Sequence, residues 1–228
     1  MVKFYIPSKG PESWKALLAD PEKQWQKGYS ARSLAYCWEE AKGFPQSVSA
    51  VFIQSGIPLF REAEFLFGIP EHKVKLPGRG RESQNDIFVL ARSARELIAI
   101  TVEGKVSEQF DNNTVEEWLV DASTNRKYRI QKMAEMLHLD LADIRPIKYQ
   151  LIHRTVSALL EADRFCANHA LMLVHSFSQS HEWFDHYAEF ASLFDVEVSP
   201  GLVVHAGDIS GKELYLGWVT GEKEYLQR

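Results

Sequence analysis

The chain has 228 residues, 45% of them hydrophobic, and a formal net charge of −5. A single domain of that size buries an ample core without staples. The acidic balance excludes a global attraction to nucleic acid, so any such contact must come from a local basic patch. Two cysteines, Cys37 and Cys166, are too few for a disulfide framework and read as small core residues. No run approaches 18 apolar residues and no basic-then-apolar leader opens the chain, so a cytoplasmic protein with no membrane partner is expected.

A short apolar run at 4–6 ends at Pro7. Residues 13–19 predict a short helix that buries Trp14, Leu17 and Leu18 and stops before Pro21. Residues 30–42 predict a second helix, capped by Ser30 and ended by Gly43 and Pro45, with Leu34, Cys37, Trp38 and Ala41 at i, i+3, i+4, i+7. Glu39 and Glu40 lie beside that stripe. Residues 48–53 read as a strand. Residues 59–67 fit either state and carry Glu62 and Glu64, and 72–76 alternate like another strand. Pro77-Gly78-Arg79-Gly80-Arg81 follows. Its two arginines are planar phosphate-binding forks on a glycine-loosened backbone, or a solvated flexible loop.

The stretch SQNDIFVLARSARELIAITVEGKV, residues 83–106, holds two strand-length runs of Ile, Val and Phe around Arg92-Ser93-Ala94-Arg95-Glu96. It predicts an antiparallel hairpin centred between Ala94 and Arg95. In that register Leu90 faces Ala99, Phe88 faces Thr101 and Asp86 faces Glu103. Directly opposed residues share a face, and Lys105, two further on, shares it too. A slip of one residue would turn Asp86 away. Two carboxylates side by side repel unless a cation lies between them, and hard oxygen ligands with open positions suit Mg²⁺ or Mn²⁺. Such an ion polarises a phosphate and acidifies a bound water. A neighbouring ammonium orients that water or neutralises developing charge. The bland alternative is an ordinary surface acid–lysine pair.

Beyond the hairpin, Thr114-Val115-Glu116-Glu117 is a capping-box match opening a short helix anchored by Trp118 and Leu119. Residues 123–125 cap the next helix, where Ile130, Met133, Ala134 and Leu137 form the buried stripe. Its Arg126, Lys127 and Arg129 are a backbone-contacting cluster or a solvated face. A long helix over 147–167, begun by Pro146, is apolar except for Gln150, His153, Arg154, Ser157 and Glu161 on one stripe. Buried polar groups need partners, so this stripe either faces water or reaches the acid–lysine site. Residues 170–177 read as a buried strand. His181-Glu182…His186 misses the i, i+4 spacing of helical zinc ligands and reads as packing. Residues 203–206 and 214–219 predict a closing hairpin that extends or covers the sheet.

Asp86…Glu103-x-Lys105 on adjacent strands resembles the active site of the PD-(D/E)XK nuclease superfamily, with Asn85 where that motif has proline. The order helix, strand, strand with Asp, strand with Glu-x-Lys, helix, strand is similar to its αβββαβ core. The blocks SQNDIFVLAR, VEGKV, YQLIHRT and LVHSF also look like those of a family of uncharacterised bacterial proteins assigned to this fold. The resemblance spans residues 30–195 and implies one α/β domain over 1–228, with 196–228 as a hairpin extension. It implies Mg²⁺- or Mn²⁺-dependent hydrolysis of nucleic acid, with DNA expected by analogy. In that scheme Asp86 and Glu103 hold the metal and Lys105 places the water. Glu39 is the candidate extra acid, with Glu62 and Glu64 as alternatives. Gln150 joins the site from the helix, and Arg79, Arg81, His153 and Arg154 contact phosphate. The rival reading is a silent nucleic-acid- or protein-binding module, and a third is a toxin or defence component that needs a partner chain. Strandedness of the substrate and a homodimeric state stay open.

Overall fold

A computed structural model describes residues 8–111 and 113–228; the apolar run at 4–6 lies outside them. The protein is α/β, built on a mixed six-stranded sheet of order β1-β2-β3-β4-β6-β5. The strands are β1 (Glu64–Val74), β2 (Ser83–Ser93), β3 (Glu96–Lys105), β4 (His169–Ser176), β5 (Val203–Ile209) and β6 (Lys212–Thr220). The helices are α1 (Pro21–Gln24), α2 (Ser30–Ala41), α3 (Gln46–Gln54), α4 (Pro58–Arg61), α5 (Val115–Leu119), α6 (Thr124–Leu137), α7 (Tyr149–Arg164) and α8 (Phe184–Ser192), with 3-10 turns at Pro11–Leu17 and Lys223–Gln227.

β2 and β3 pair antiparallel in the expected register, with Leu90 opposite Ala99 and Phe88 opposite Thr101. Ala94, at the turn, takes a left-handed φ of 52°. Alternation then sorts the side chains. Phe88, Leu90 and Ala99 join the core under α7, whereas Ile87, Val89, Ile98, Ile100 and Val102 join a second core with Leu34, Cys37 and Trp38 of α2. Each face has a helix to bury it, which is why these strands are almost continuously apolar. α7 carries the chain from β3 to a parallel β4, and β6 adds parallel to β4. The closing hairpin therefore extends the sheet through β6, with β5 outermost.

Two local expectations are corrected, and one left open is resolved. Residues 48–53 are not a strand but lie inside α3; Val48, Val51 and Phe52 bury one helical face. Periodicity cannot separate a six-residue apolar run in a helix from one in a strand. Residues 59–67 divide between α4 and β1. Ser30 does not cap α2 with its side chain; its backbone N–H donates instead to Oε1 of Glu108 (2.9 Å). The capping box of α5 forms as expected: Thr114 Oγ1 accepts from the Glu117 N–H while the Glu117 carboxylate accepts from the Thr114 N–H.

Candidate active site

One step beyond the last ladder pair of the hairpin, Ile87 with Val102, Asp86 stands against the Glu103–Gly104 backbone. The Gly104 N–H donates to Oδ2 of Asp86 at 2.7 Å. Asp86, Glu103, Lys105, Gln150, Arg154 and Glu71 line a cleft of about 470 Å³ open to solvent. The structure thus brings together the expected acid pair, the lysine and the helix glutamine.

Glu103 is the hub. Its Oε1 accepts from Lys105 Nζ (2.8 Å) and Gln150 Nε2 (2.7 Å), and its Oε2 accepts from Arg154 Nε (2.5 Å). Lys105 Nζ also donates to Gln150 Oε1 (3.1 Å) and to the Gln109 carbonyl (3.3 Å). That pair of bonds fixes which end of the Gln150 amide faces which partner. Burial alone would raise the Glu103 pKa, but Arg154 and Lys105 outweigh it and hold it down at about 2. Asp86 goes the other way. Burial first, then the Glu103 charge, push it up to about 7 against the pull of Arg154 and Lys105. Two carboxylates in one cleft are thereby driven to opposite protonation behaviour.

A third acid in the cleft is Glu71, which sequence reasoning missed. It lies on β1, lines the same cleft, and accepts from the Gln84 amide (2.8 Å). Burial and then the Asp86 charge raise its pKa to about 8. Its φ of 51° is left-handed, within a strand and directly after Pro70. A non-glycine residue held so costs about 1–3 kcal/mol and persists only where its surroundings over-determine it. The one available signal was an acid beside Pro in an otherwise apolar, alternating segment.

Glu39 is not brought to the cleft. Its carboxylate accepts from Trp14 Nε1 (2.8 Å) and from the Ser8 hydroxyl, which ties α2 to the 3-10 turn before it. Glu62 is exposed at the end of α4, and Glu64 pairs with Arg92 (2.7 Å) at the far end of β2 from Asp86. The polar stripe of α7 faces the sheet rather than water. Gln150 and Arg154 reach Glu103, and Arg154 Nη1 also donates to Ser83 Oγ (2.9 Å). His153 Nδ1 meets that same hydroxyl (2.9 Å), and the buried Glu161 pairs with His72 (3.1 Å).

Arg79 and Arg81 line a second, neighbouring pocket of about 640 Å³ together with His153. Their loop is pinned. Asn125 accepts from the Arg79 N–H (2.8 Å) and donates to the Arg79 carbonyl (2.6 Å). Arg129, buried, donates to the carbonyls of Arg81 (2.8 Å) and Arg79 (3.0 Å). Arg129 is therefore a strut of the loop and not part of a solvated charged face.

Residues 7–223 match a family model described as Domain of unknown function (DUF6946). The chain belongs to this family. No curated protein and no solved structure matches it.

In this DUF6946 chain the acids of the cleft are not a ready-made cage. Among the described residues, the group whose ligand atoms all lie within 4.8 Å of one another is Cys37, His175 and Glu222, on the opposite face of the sheet. Its hydrogen bonds argue against a metal. Trp38 Nε1–H donates to His175 Nδ1 (3.0 Å), so the neutral ring carries its proton on Nε2, facing Ser47 Oγ (3.4 Å). Ser47 in turn donates to Glu222 (3.1 Å). Burial pushes the His175 pKa down to about 3, which keeps the ring neutral. Every donor in the chain Trp38, His175, Ser47, Glu222 has an acceptor, and the ring offers no lone pair. The cluster locks the segment after β6 to α2 and β4. Among the described residues no helix is long and apolar enough to cross a membrane.

Proposed function

We propose that the DUF6946 chain is a metal-dependent phosphodiesterase acting on nucleic acid, of the PD-(D/E)XK kind. The observation that carries this reading is the convergence of Lys105, Gln150 and Arg154 on Glu103, with Asp86 across the same open cleft. Asp86 Oδ2 has one backbone donor, and no hydrogen-bond donor reaches its Oδ1 among the described residues. Carboxylate oxygens are the hard donors that suit Mg²⁺ or Mn²⁺, here from Asp86 and the buried Glu103, with Glu71 lining the same cleft. When bound, the ion supplies Lewis acidity toward a phosphate oxygen and a more acidic water.

The chain's own residues supply the rest. Lys105 holds a buried ammonium in the cleft lining, where it places a water or meets charge gathering on phosphate. Gln150 holds that ammonium from the other side and keeps Glu103 in one rotamer. Arg154 keeps Glu103 ionised. Wild type with Mg²⁺ or Mn²⁺ should cut a panel of single- and double-stranded DNA and RNA, and Lys105→Ala should lower the rate about 10²–10³-fold. Equal inactivity of both proteins on the whole panel would sink the reading.

One observation favours a silent binding module. Arg154 already supplies Glu103 with a fixed cation at 2.5 Å. Calorimetry with Mn²⁺ separates the two: the module takes up no metal at this cleft, whereas the phosphodiesterase loses its Mn²⁺ site in Asp86→Asn.

A further inference from the structure

The second pocket is a concavity that the cleft chemistry does not use. At about 640 Å³ it falls in the range of small-ligand sites. Four arginines line it, Arg79, Arg81, Arg126 and Arg129, against two acidic residues, Glu82 and Asp111. Arg79, Arg81 and Arg126 are exposed, and Arg129 is buried, holding the loop's carbonyls. One wall is aromatic. Trp118 and Tyr149 stack with centroids 4.3 Å apart and planes 11° apart, and Arg126 lies over the Trp118 ring at 5.4 Å.

His153 adds a directed donor. Ser83 Oγ accepts from Arg154, so its own hydrogen is best placed on His153 Nδ1, and the ring, which lines the pocket, then carries its proton on Nε2. Burial, and then Arg154, lower the His153 pKa, so the ring stays a neutral donor. The pocket also adjoins the acids: consecutive residues Ser83 and Gln84 line the pocket and the cleft.

Planar cations plus an aromatic wall bind a phosphate and a base face together. A duplex shows no free base face, whereas an unpaired nucleotide does. We propose that this pocket takes one unpaired nucleotide of the strand whose phosphodiester enters the cleft. Arg79, Arg81 and His153 hold its phosphate, its base lies on Trp118, and Arg126 moves outward to cover it. The inference rests on the nucleic-acid reading of the cleft and narrows the substrate to single strands or splayed ends.

The test is fluorescence anisotropy in EDTA, so that nothing is cut, with a 5′-labelled octathymidylate and a blunt 20-base-pair duplex. The single strand should bind at least about tenfold tighter than the duplex and quench the tryptophan emission. Trp118→Ala should weaken single-strand binding about tenfold and abolish the quench, and Arg79→Ala with Arg81→Ala should weaken it comparably. Because Trp118 also packs, Arg126→Ala, on the exposed face, is the second variant, and it should weaken the same binding. Equal affinity for the duplex, or unchanged binding in all these variants, overturns the proposal. Failure of the two readings differs in kind. Single-strand binding of this pattern without cutting under any metal keeps the pocket and removes the hydrolase. Cutting of blunt duplex untouched by these substitutions does the reverse.

Discussion

The Nε of Arg154 lies 2.5 Å from Oε2 of Glu103, and both side chains are almost wholly withdrawn from water. Removing Arg154 leaves the buried Glu103 with Lys105 as its remaining cation (2.8 Å), so the loss approaches the roughly 3–5 kcal/mol of a fully orphaned buried charge. Arg154→Met should lose stability of that order in urea denaturation. Adding Glu103→Gln to it should cost well under the sum of the two single changes, because the second change removes the orphaned charge. Additive losses would mean that the pair is not energetically joined.

Glu71 makes a separate claim. It lines the cleft on the strand that neighbours Asp86, in a strained backbone conformation. Glu71→Gln should weaken Mn²⁺ binding about tenfold or more by calorimetry. Glu39→Gln should leave it unchanged, since Glu39 is bonded to Trp14. The opposite ranking would return the role to α2.

Metal affinity should rise with pH. Burial, with Glu103 acting on Asp86 and Asp86 on Glu71, raises the two pKa values to about 7 and about 8. At pH 6 both carboxyls hold protons that a cation must displace, and at pH 9 neither does. The thermal shift given by Mn²⁺ should therefore grow between pH 6 and pH 9, with proton release visible as buffer-dependent calorimetric heats. A flat profile would mean that these acids do not ligate.

His175 predicts an acid effect of known sign. Its folded pKa is about 3 because it is buried, against an ordinary value of 6.5. A group depressed on folding stabilises above its unfolded pKa, and that contribution is lost as pH falls toward the folded one. Asp86 and Glu71, raised on folding, act in the opposite sense, so only a difference isolates the histidine. The stability gap between wild type and His175→Gln should shrink by about 2–3 kcal/mol from pH 7 to pH 4 in urea melts. A constant gap would indicate a ring that is not held neutral.

The β2–β3 hairpin was legible because alternation, apolar run length and a short polar turn all pointed to one register. Gln150 and Arg154 were legible because a polar stripe on a buried helix must find partners. Glu71 was not, since an acid beside Pro70 is too weak a signal to announce its left-handed φ of 51°. Glu39 misled for the converse reason: its spacing on α2 is right, but Trp14, 25 positions earlier, claims it with an indole N–H. Arg129 looked like surface charge because the carbonyls it grips are 48 and 50 positions away.

Both outer strands of the sheet are ill suited to receive another chain. β1 contains Pro70, which has no N–H to donate, and then the left-handed Glu71, while its pairing with β2 slips between Phe65 and Phe67. β5 slips between His205 and Gly207. Interruptions of this kind blunt strand-to-strand growth. A twofold assembly of this protein would therefore have to join through side chains of helices or loops, and crowded or overexpressed molecules have no straight ribbon along which to polymerise.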